Sequence, residues 1–192
     1  MPEIFIIAGC NGAGKTTAAY NLLPEVFKTV EFVNADEIAR GISPFNPESV
    51  AFHAGRIMLE RLEDLIKNNK SLAFETTLSG LGHLQLLQKA RQNGYNVILF
   101  FVYLNSYALA KRRVAFRVSK GGHDIPANVI ERRYKKGLLN FRPYANRADS
   151  WYIYDNSGSE YVLAAKFLNN KEEIFNFDVF HKVNGNDAKK EN

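Results

Sequence analysis

The stretch Glu3-Ile4-Phe5-Ile6-Ile7-Ala8-Gly9-Cys10-Asn11-Gly12-Ala13-Gly14-Lys15-Thr16 decides the fold. Glu3–Ala8 is an apolar run of strand length, of the kind buried on both faces of a parallel sheet. Gly9–Thr16 then fits the pattern G-x-x-x-x-G-K-[ST] in full, directly after that strand and directly before a short helix that Pro24 stops. Glycines let the backbone curl until its N–H groups face one anionic centre, and the helix N-terminus adds its partial positive charge. The spacing therefore predicts that Gly9, Asn11, Gly12, Ala13, Gly14, Lys15, Thr16 and Thr17 cradle the phosphates of a nucleoside triphosphate, ATP. Lys15 then reaches the β- and γ-phosphates, and the Thr16 hydroxyl holds Mg²⁺.

Working outward, strand-like and helix-like periods alternate. Strands are expected at Val30–Asn34, Leu72–Glu75, Asn96–Leu104 and Trp151–Tyr154. Helices are expected after Asn46-Pro47, from Leu81 to Gln92, from Ser106 to about Ser119, and from Asp124/Pro126 to about Leu138. Glu160–Phe167 and Glu172–Asn176 read as a terminal β-hairpin. The fold class is α/β: a P-loop NTPase-type parallel sheet of about five strands with helices on both faces, a helical lid and a C-terminal β-hairpin. The 192 residues fit one domain, taken as 1–182, with the lid at 106–138, the hairpin at 160–176 and a polar tail at 183–192 expected to be flexible.

Composition closes off other classes. One cysteine, Cys10, excludes an intramolecular disulfide framework, and with four scattered histidines it excludes a Cys/His zinc cluster. Residues 2–8 are too short for a signal peptide, and no apolar run approaches the ~20 residues of a membrane span. A cytoplasmic location and no membrane partner are expected. Residues 111–147 carry eleven of the 25 Lys and Arg against two acids, a local charge of +9 in a chain of net +5. A field that concentrated implies a polyanionic ligand.

Ligands of parallel sheets sit beyond the carboxyl ends of the strands. Asp36, after strand two, and Glu75, closing strand three, both fall there. Asp36 is either a reacting carboxylate or the N-cap of a short helix Glu37–Arg40. Glu75 is either a metal partner beside the phosphate loop or an acceptor of substrate hydrogen bonds. Arg113 and Arg117, spaced i, i+4, share a helix face. With the Gly121-Gly122 hinge, and with Arg132 and Arg133 on the next helix, they form a lid able to bring guanidinium groups onto a transferring phosphoryl.

The phosphate loop, Asn34-Ala35-Asp36-Glu37-Ile38-Ala39-Arg40, Phe74-Glu75-Thr76-Thr77-Leu78-Ser79-Gly80, and Arg117…Gly121-Gly122-His123-Asp124-Ile125-Pro126…Arg132-Arg133-Tyr134, in that order, resemble the zeta-toxin-like P-loop kinases. More narrowly they resemble the chromosomal branch described as predicted ABC-type ATPases. The resemblance covers roughly residues 3–155. It implies an ATP-dependent kinase whose toxin members phosphorylate a hydroxyl of UDP-N-acetylglucosamine, so a small-molecule substrate such as a nucleotide sugar, and an antitoxin partner. It makes Asp36 the catalytic base, Lys15 the phosphate-loop lysine, and Glu75 and Thr77 the substrate contacts. Of the family's two γ-phosphate arginines, one falls near Arg113 or Arg117. The position of the second reads Gly122–Pro126 here, leaving His123, Arg132 or Arg133 for the role. The catalytic set is thus Lys15, Asp36, Arg117 and Arg133. The competing readings are a polynucleotide 5′-hydroxyl kinase, with no RNA-binding signature to support it, and an ATP-dependent switch without acceptor chemistry.

Lys15→Ala removes the point charge on the β/γ-phosphates, so it should abolish turnover while leaving a folded chain. Circular dichroism beside an ATP-turnover assay checks this, and normal turnover would remove the phosphate-loop assignment.

Overall fold

The computed structural model describes residues 1–22, 31–122 and 124–185. The middle of its five parallel strands is β1 (Glu3–Ala8), paired on one side with β3 (Leu72–Thr76) and on the other with β4 (Asn96–Tyr103). Beyond β3 lies the two-residue β2 (Phe32–Val33), and beyond β4 lies β5 (Ser150–Asp155), both parallel to their neighbours. The hairpin β6 (Val162–Leu168) and β7 (Lys171–Ile174) continues the same sheet antiparallel to β5, giving seven strands in the order β2-β3-β1-β4-β5-β6-β7. Asn169 and Asn170 turn that hairpin with φ of 53° and 59°, the doubly left-handed backbone of a tight turn that suits asparagine. From β1 the chain builds the β3/β2 flank first and the β4/β5 flank second. The carboxyl end of β1 therefore sits where the winding reverses, and the glycine-rich loop begins there.

Helices cover both faces of the sheet, as the alternating periods predict. On one face, alternate sheet residues such as Ile4, Ile6, Phe74, Leu99 and Phe101 pack against α3 (Ala51–Lys67), α4 (Leu84–Gln92) and α6 (Ala127–Ala145). The other face buries Phe5, Ile7 and Ala73 against Ala19 of α1 (Lys15–Leu22). Val102 and Leu104 there pack on Ala110 and Val114 of α5 (Tyr107–Ser119). The helix α2 (Ala35–Ile42) follows β2 directly.

Several boundaries differ from the sequence reading. Helix α6 runs seven residues past Leu138, through Pro143, to Ala145. Proline removes one i→i−4 hydrogen bond. Burial of Phe141, Tyr144 and Ala145 offsets that loss. The second half of the expected lid is thereby anchored in the core. The hairpin occupies 162–174, and Asn176 does not end a strand but caps a further helix, α7 (Phe177–Asn184), accepting from the Val179 N–H at 3.1 Å. Helix α7 crosses the expected domain end at 182, and Val183 is fully buried rather than part of a tail. His53, in the first turn of α3, is exposed. The expectations that fall on Pro24, Val30, His123 and 186–192 lie outside the described residues.

Phe141 lies edge-on to Phe101 at 5.3 Å and to Trp151 at 5.6 Å, with no exposed surface. Phe141→Ala should therefore lower unfolding stability by ~3–5 kcal/mol, the usual cost of emptying a buried aromatic site. Urea titration checks this, and a loss under about 1 kcal/mol would mean that α6 hangs on the domain as a detachable lid.

Candidate active site

The loop between β1 and α1 is built as the motif requires. Gly9, Gly12 and Gly14 adopt φ of 142°, 79° and 93°, a region that glycine enters without strain. Lys15 is 5% exposed and folds back so that Nζ donates to the Cys10 carbonyl at 2.9 Å. Cys10 itself is buried, and burial pushes its thiol up to about 11, partly countered by the positive charge of Lys15 and Arg113. It stays a protonated filler rather than a nucleophile.

Glu75, at the end of β3, collects the neighbouring polar groups. Its Oε1 lies 3.3 Å from Lys15 Nζ, and its Oε2 accepts from the Thr16 hydroxyl at 2.6 Å and from Asn34 Nδ2 at 3.0 Å. The Thr16 hydroxyl and the Glu75 carboxylate are hard oxygen donors, the type that Mg²⁺ takes alongside phosphates and water. Among the described residues no cluster of three or more His, Cys, Asp or Glu forms a metal cage, so any ion here must complete its shell from the ligand.

The two readings of Asp36 separate at Asn34. The N-cap of α2 is Asn34, whose Oδ1 accepts from the Asp36 N–H at 2.8 Å. The cap is therefore two residues upstream of where the sequence reading put it, and Asp36 stands in the first turn without capping duty.

Two cavities meet at this point. One, of about 220 Å³, is lined by Asn11, Gly12 and 14–17 of the phosphate loop and its helix together with Glu37, Arg40, Arg113 and Arg117, while Ala13 is buried behind it. The other, of about 580 Å³, has a mostly apolar wall from α3 (Phe52, Met58, Leu59) and a polar rim from Arg56, Thr77, Ser79 and His83. Lys15, Asn34, Asp36 and Glu75 line both. Thr77 shares a hydrogen bond of 2.9 Å with Ser79 on the larger cavity's wall.

The lid arginines divide. Arg117 faces the smaller cavity, as does Arg113, which also donates to the Gly158 carbonyl at 3.0 Å. Arg133 lines the larger cavity and donates from Nη1 to Asn11 Oδ1 at 3.2 Å, tying α6 to the phosphate loop. Arg132 is exposed and lines neither. His123 lies outside the described residues.

Four site residues escape the sequence reading. Asn34 carried a signal, since an Asx residue two positions before an acidic first turn is a standard cap. His83, in the sequence only one of four scattered histidines, sits half-buried against Phe74, with a ring distance of 5.1 Å, and burial lowers its pKa. Asn156 and Tyr161 reach the phosphate loop from beyond β5, donating to the carbonyls of Ala13 and Gly14, each at 2.8 Å. A sequence separation of 143 and 147 leaves no local pattern to find them by.

The model of the family described as Zeta toxin matches residues 1–166. A protein of Haemophilus influenzae, described as uncharacterized, is 32% identical over 127 residues, 66% of this chain and 88% of that protein. Among solved structures, the AvrRxo1-ORF1:-ORF2 complex with ATP matches with a TM-score of 0.78 at 16% identity, covering 96% of this chain. This chain spans 64% of the length of that one. The structure from the PezAT toxin–antitoxin system of Streptococcus pneumoniae matches with a TM-score of 0.68 at 15% identity, over 95% of this chain and 77% of that one. A shikimate kinase of Acinetobacter baumannii in complex with shikimate matches with a TM-score of 0.50 at 19% identity, over 83% and 85% of the two chains. The shared architecture is that of the P-loop kinases, no described helix is long and apolar enough to cross a membrane, and the family match runs through the phosphate loop, both carboxylates and the basic helices: the chain belongs to the zeta toxin family.

Proposed function

We propose that the chain is an ATP-dependent kinase that transfers the γ-phosphate to a hydroxyl of a small molecule. The observation that carries this reading is the meeting of the two cavities on Lys15 and Asp36. A switch that only binds and hydrolyses ATP has no use for an adjoining cavity of about 580 Å³ with an apolar wall and a polar rim.

The triphosphate lies in the smaller cavity, with Lys15 on the β/γ-phosphates. Mg²⁺, held by the Thr16 hydroxyl beside Glu75, neutralises phosphate charge when bound. The acceptor lies in the larger cavity, its hydroxyl against Asp36 and its polar groups against Thr77 and the rim. The acceptor O–H bond breaks as its oxygen bonds to the γ-phosphorus, and the proton passes to the Asp36 carboxylate. The bond from the γ-phosphorus to the bridging oxygen breaks, and its electron pair leaves on ADP. Arg117 from the nucleotide side and Arg133 from the acceptor side stabilise the charge spread over the moving phosphoryl. Glu75 organises Lys15 and Thr16 and contributes to the shared wall. A nucleotide sugar, with UDP-N-acetylglucosamine first to be tried, suits a cavity that offers aromatic and aliphatic surface beside Arg56. The AvrRxo1 structure is a complex of ORF1 with ORF2 and the PezAT structure comes from a toxin–antitoxin system, which supports an antitoxin-like protein partner for this chain as well.

Incubation with γ-labelled ATP and a metabolite library, followed by mass spectrometry, tests the reading by the gain of one phosphate on an acceptor. Asp36→Asn keeps the shape, and Asn34 still caps α2, so melting temperature and ATP binding should stay near wild type. Phosphorylation should fall by ~10²–10⁴, because an amide takes no proton. Full activity in Asp36→Asn would return the chain to the switch reading. Arg117→Ala and Arg133→Ala should each lower kcat by ~10²–10³ with a smaller effect on ATP affinity. Arg132→Ala should match wild type, since it faces neither cavity. Equal rates for all three variants would leave the segment as a basic surface.

A further inference from the structure

The phosphate loop is gripped from its outer side by a segment that lines neither cavity. Between β5 and β6, Asn156 is 7% exposed and its Nδ2 donates to the Ala13 carbonyl at 2.8 Å. Tyr161 donates its hydroxyl to the next carbonyl, Gly14, also at 2.8 Å. The segment is itself fixed. Asn156 N–H donates to Tyr103 O at 3.0 Å, Asn105 N–H to Ser157 Oγ at 2.9 Å, and Arg113 Nη2 to Gly158 O at 3.0 Å.

A trans peptide is planar, so the carbonyl of one residue and the N–H of the next point in opposite directions. The Ala13–Gly14 and Gly14–Lys15 peptides are trans. Donors that hold the Ala13 and Gly14 carbonyls outward therefore hold the Gly14 and Lys15 N–H groups inward. Neither N–H finds an acceptor among the described residues. Gly14 shows how closely the grip is fitted: a Cβ at that position would lie 2.5 Å from Tyr161 Oη and 2.8 Å from Asn156 Nδ2. The position is glycine both for its φ of +93° and because the two donors fill the space of a side chain. Among the described residues Asn156 is the donor to the Ala13 carbonyl, while the Gly14 carbonyl also accepts the Ala18 N–H of α1 at 2.9 Å, so Tyr161 reinforces a plane that the helix already orients. Loss of these donors loosens the planes about their flanking bonds and lets an N–H turn away from the anion.

We infer that Asn156 and Tyr161 are positioning residues that pre-set two peptide planes of the loop for phosphate, from a strap at the far end of the domain. This rests on residues 9–16 being a nucleotide-phosphate site. The ligand chemistry they tune is the polyphosphate, not the base.

Tyr161→Phe, Asn156→Leu and the double variant, with Lys15→Ala as reference, are titrated calorimetrically with ATP and separately with tripolyphosphate. Melting curves without ligand and steady-state kinetics accompany them. Each lost bond should weaken ATP and tripolyphosphate alike by about three- to tenfold, the span of one ordinary hydrogen bond. KM for ATP should rise by that factor while kcat at saturating ATP stays near wild type. Tyr161→Phe decides alone if Asn156→Leu does not fold, since it removes one hydroxyl from a part-exposed ring. Unchanged affinities, with or without a lowered melting temperature, overturn the inference while leaving the nucleotide site in place. Weakened ATP with unchanged tripolyphosphate overturns it too, because the ring would then be touching the base. A wild-type chain that binds neither ligand overturns the nucleotide reading and this one with it.

Discussion

The Glu75 carboxylate is the group on which the carboxyl side of the sheet depends. Its side chain is 8% exposed, so it has surrendered most of its hydration. A buried carboxylate left without partners costs several kcal/mol. Two segments supply three partners: the junction of the phosphate loop and α1 through Lys15 and Thr16, and the end of β2 through Asn34. The pairing of Ile7 with Glu75 across β1 and β3 sets the carboxylate beside the loop, and Val33 opposite Phe74 brings Asn34 in from the other side. Moving any of these strands by one residue would strand a charge, so the ion pair fixes the register of the site as firmly as the apolar core fixes the sheet.

Asn34 carries two tasks with one amide. Its Nδ2 donates to Glu75 and its Oδ1 caps α2 through the Asp36 N–H. Aspartate caps a helix as well as asparagine does, but here it would set a second carboxylate within hydrogen-bonding distance of Glu75. Only a residue that both donates and accepts fits. The consequence reaches Asp36, which is released from capping and stands on the wall between the two cavities.

What the sequence showed and what it hid follow from the range of the interactions. The phosphate loop, the buried strands and Glu75 were legible because each is announced by residues next to it: a full motif, an apolar run, a charge that closes that run. At Asp36 the cap reading was open to the same local check, because Asn34 two residues upstream is an equally good cap, and the structure gives the cap to Asn34. The basic segment was legible as charge but not as geometry. Successive helix residues point 100° apart, so Arg133 meets Asn11 while Arg132 faces solvent and Lys135 pairs with Glu131 at 2.8 Å. The length of α6 was hidden by Pro143, since propensity ends a helix that tertiary burial of Phe141 and Tyr144 sustains.

That length has a structural consequence. Arg133, Gly137, Asn140 and Tyr144 recur along one face of α6 at spacings of four, three and four. Arg133 holds the phosphate loop at Asn11. Gly137 lets the helix close on the Thr77 carbonyl, which a Cβ would meet at 2.8 Å. Asn140 donates to the Leu78 carbonyl at 2.6 Å and Tyr144 to the Gly80 carbonyl at 2.8 Å. Between those grips Leu78 is fully buried with φ of +51°, a conformation leucine rarely adopts and one that persists only where its surroundings impose it. One rigid stripe, about 16 Å from first to last contact at 1.5 Å per residue, thus spans from the loop that lines the smaller cavity to the loop that lines the larger. A helix anchored in the core at one end and bonded to both loops along its length fixes their separation, and the transfer proposed above would depend on that distance before it depends on any single charge.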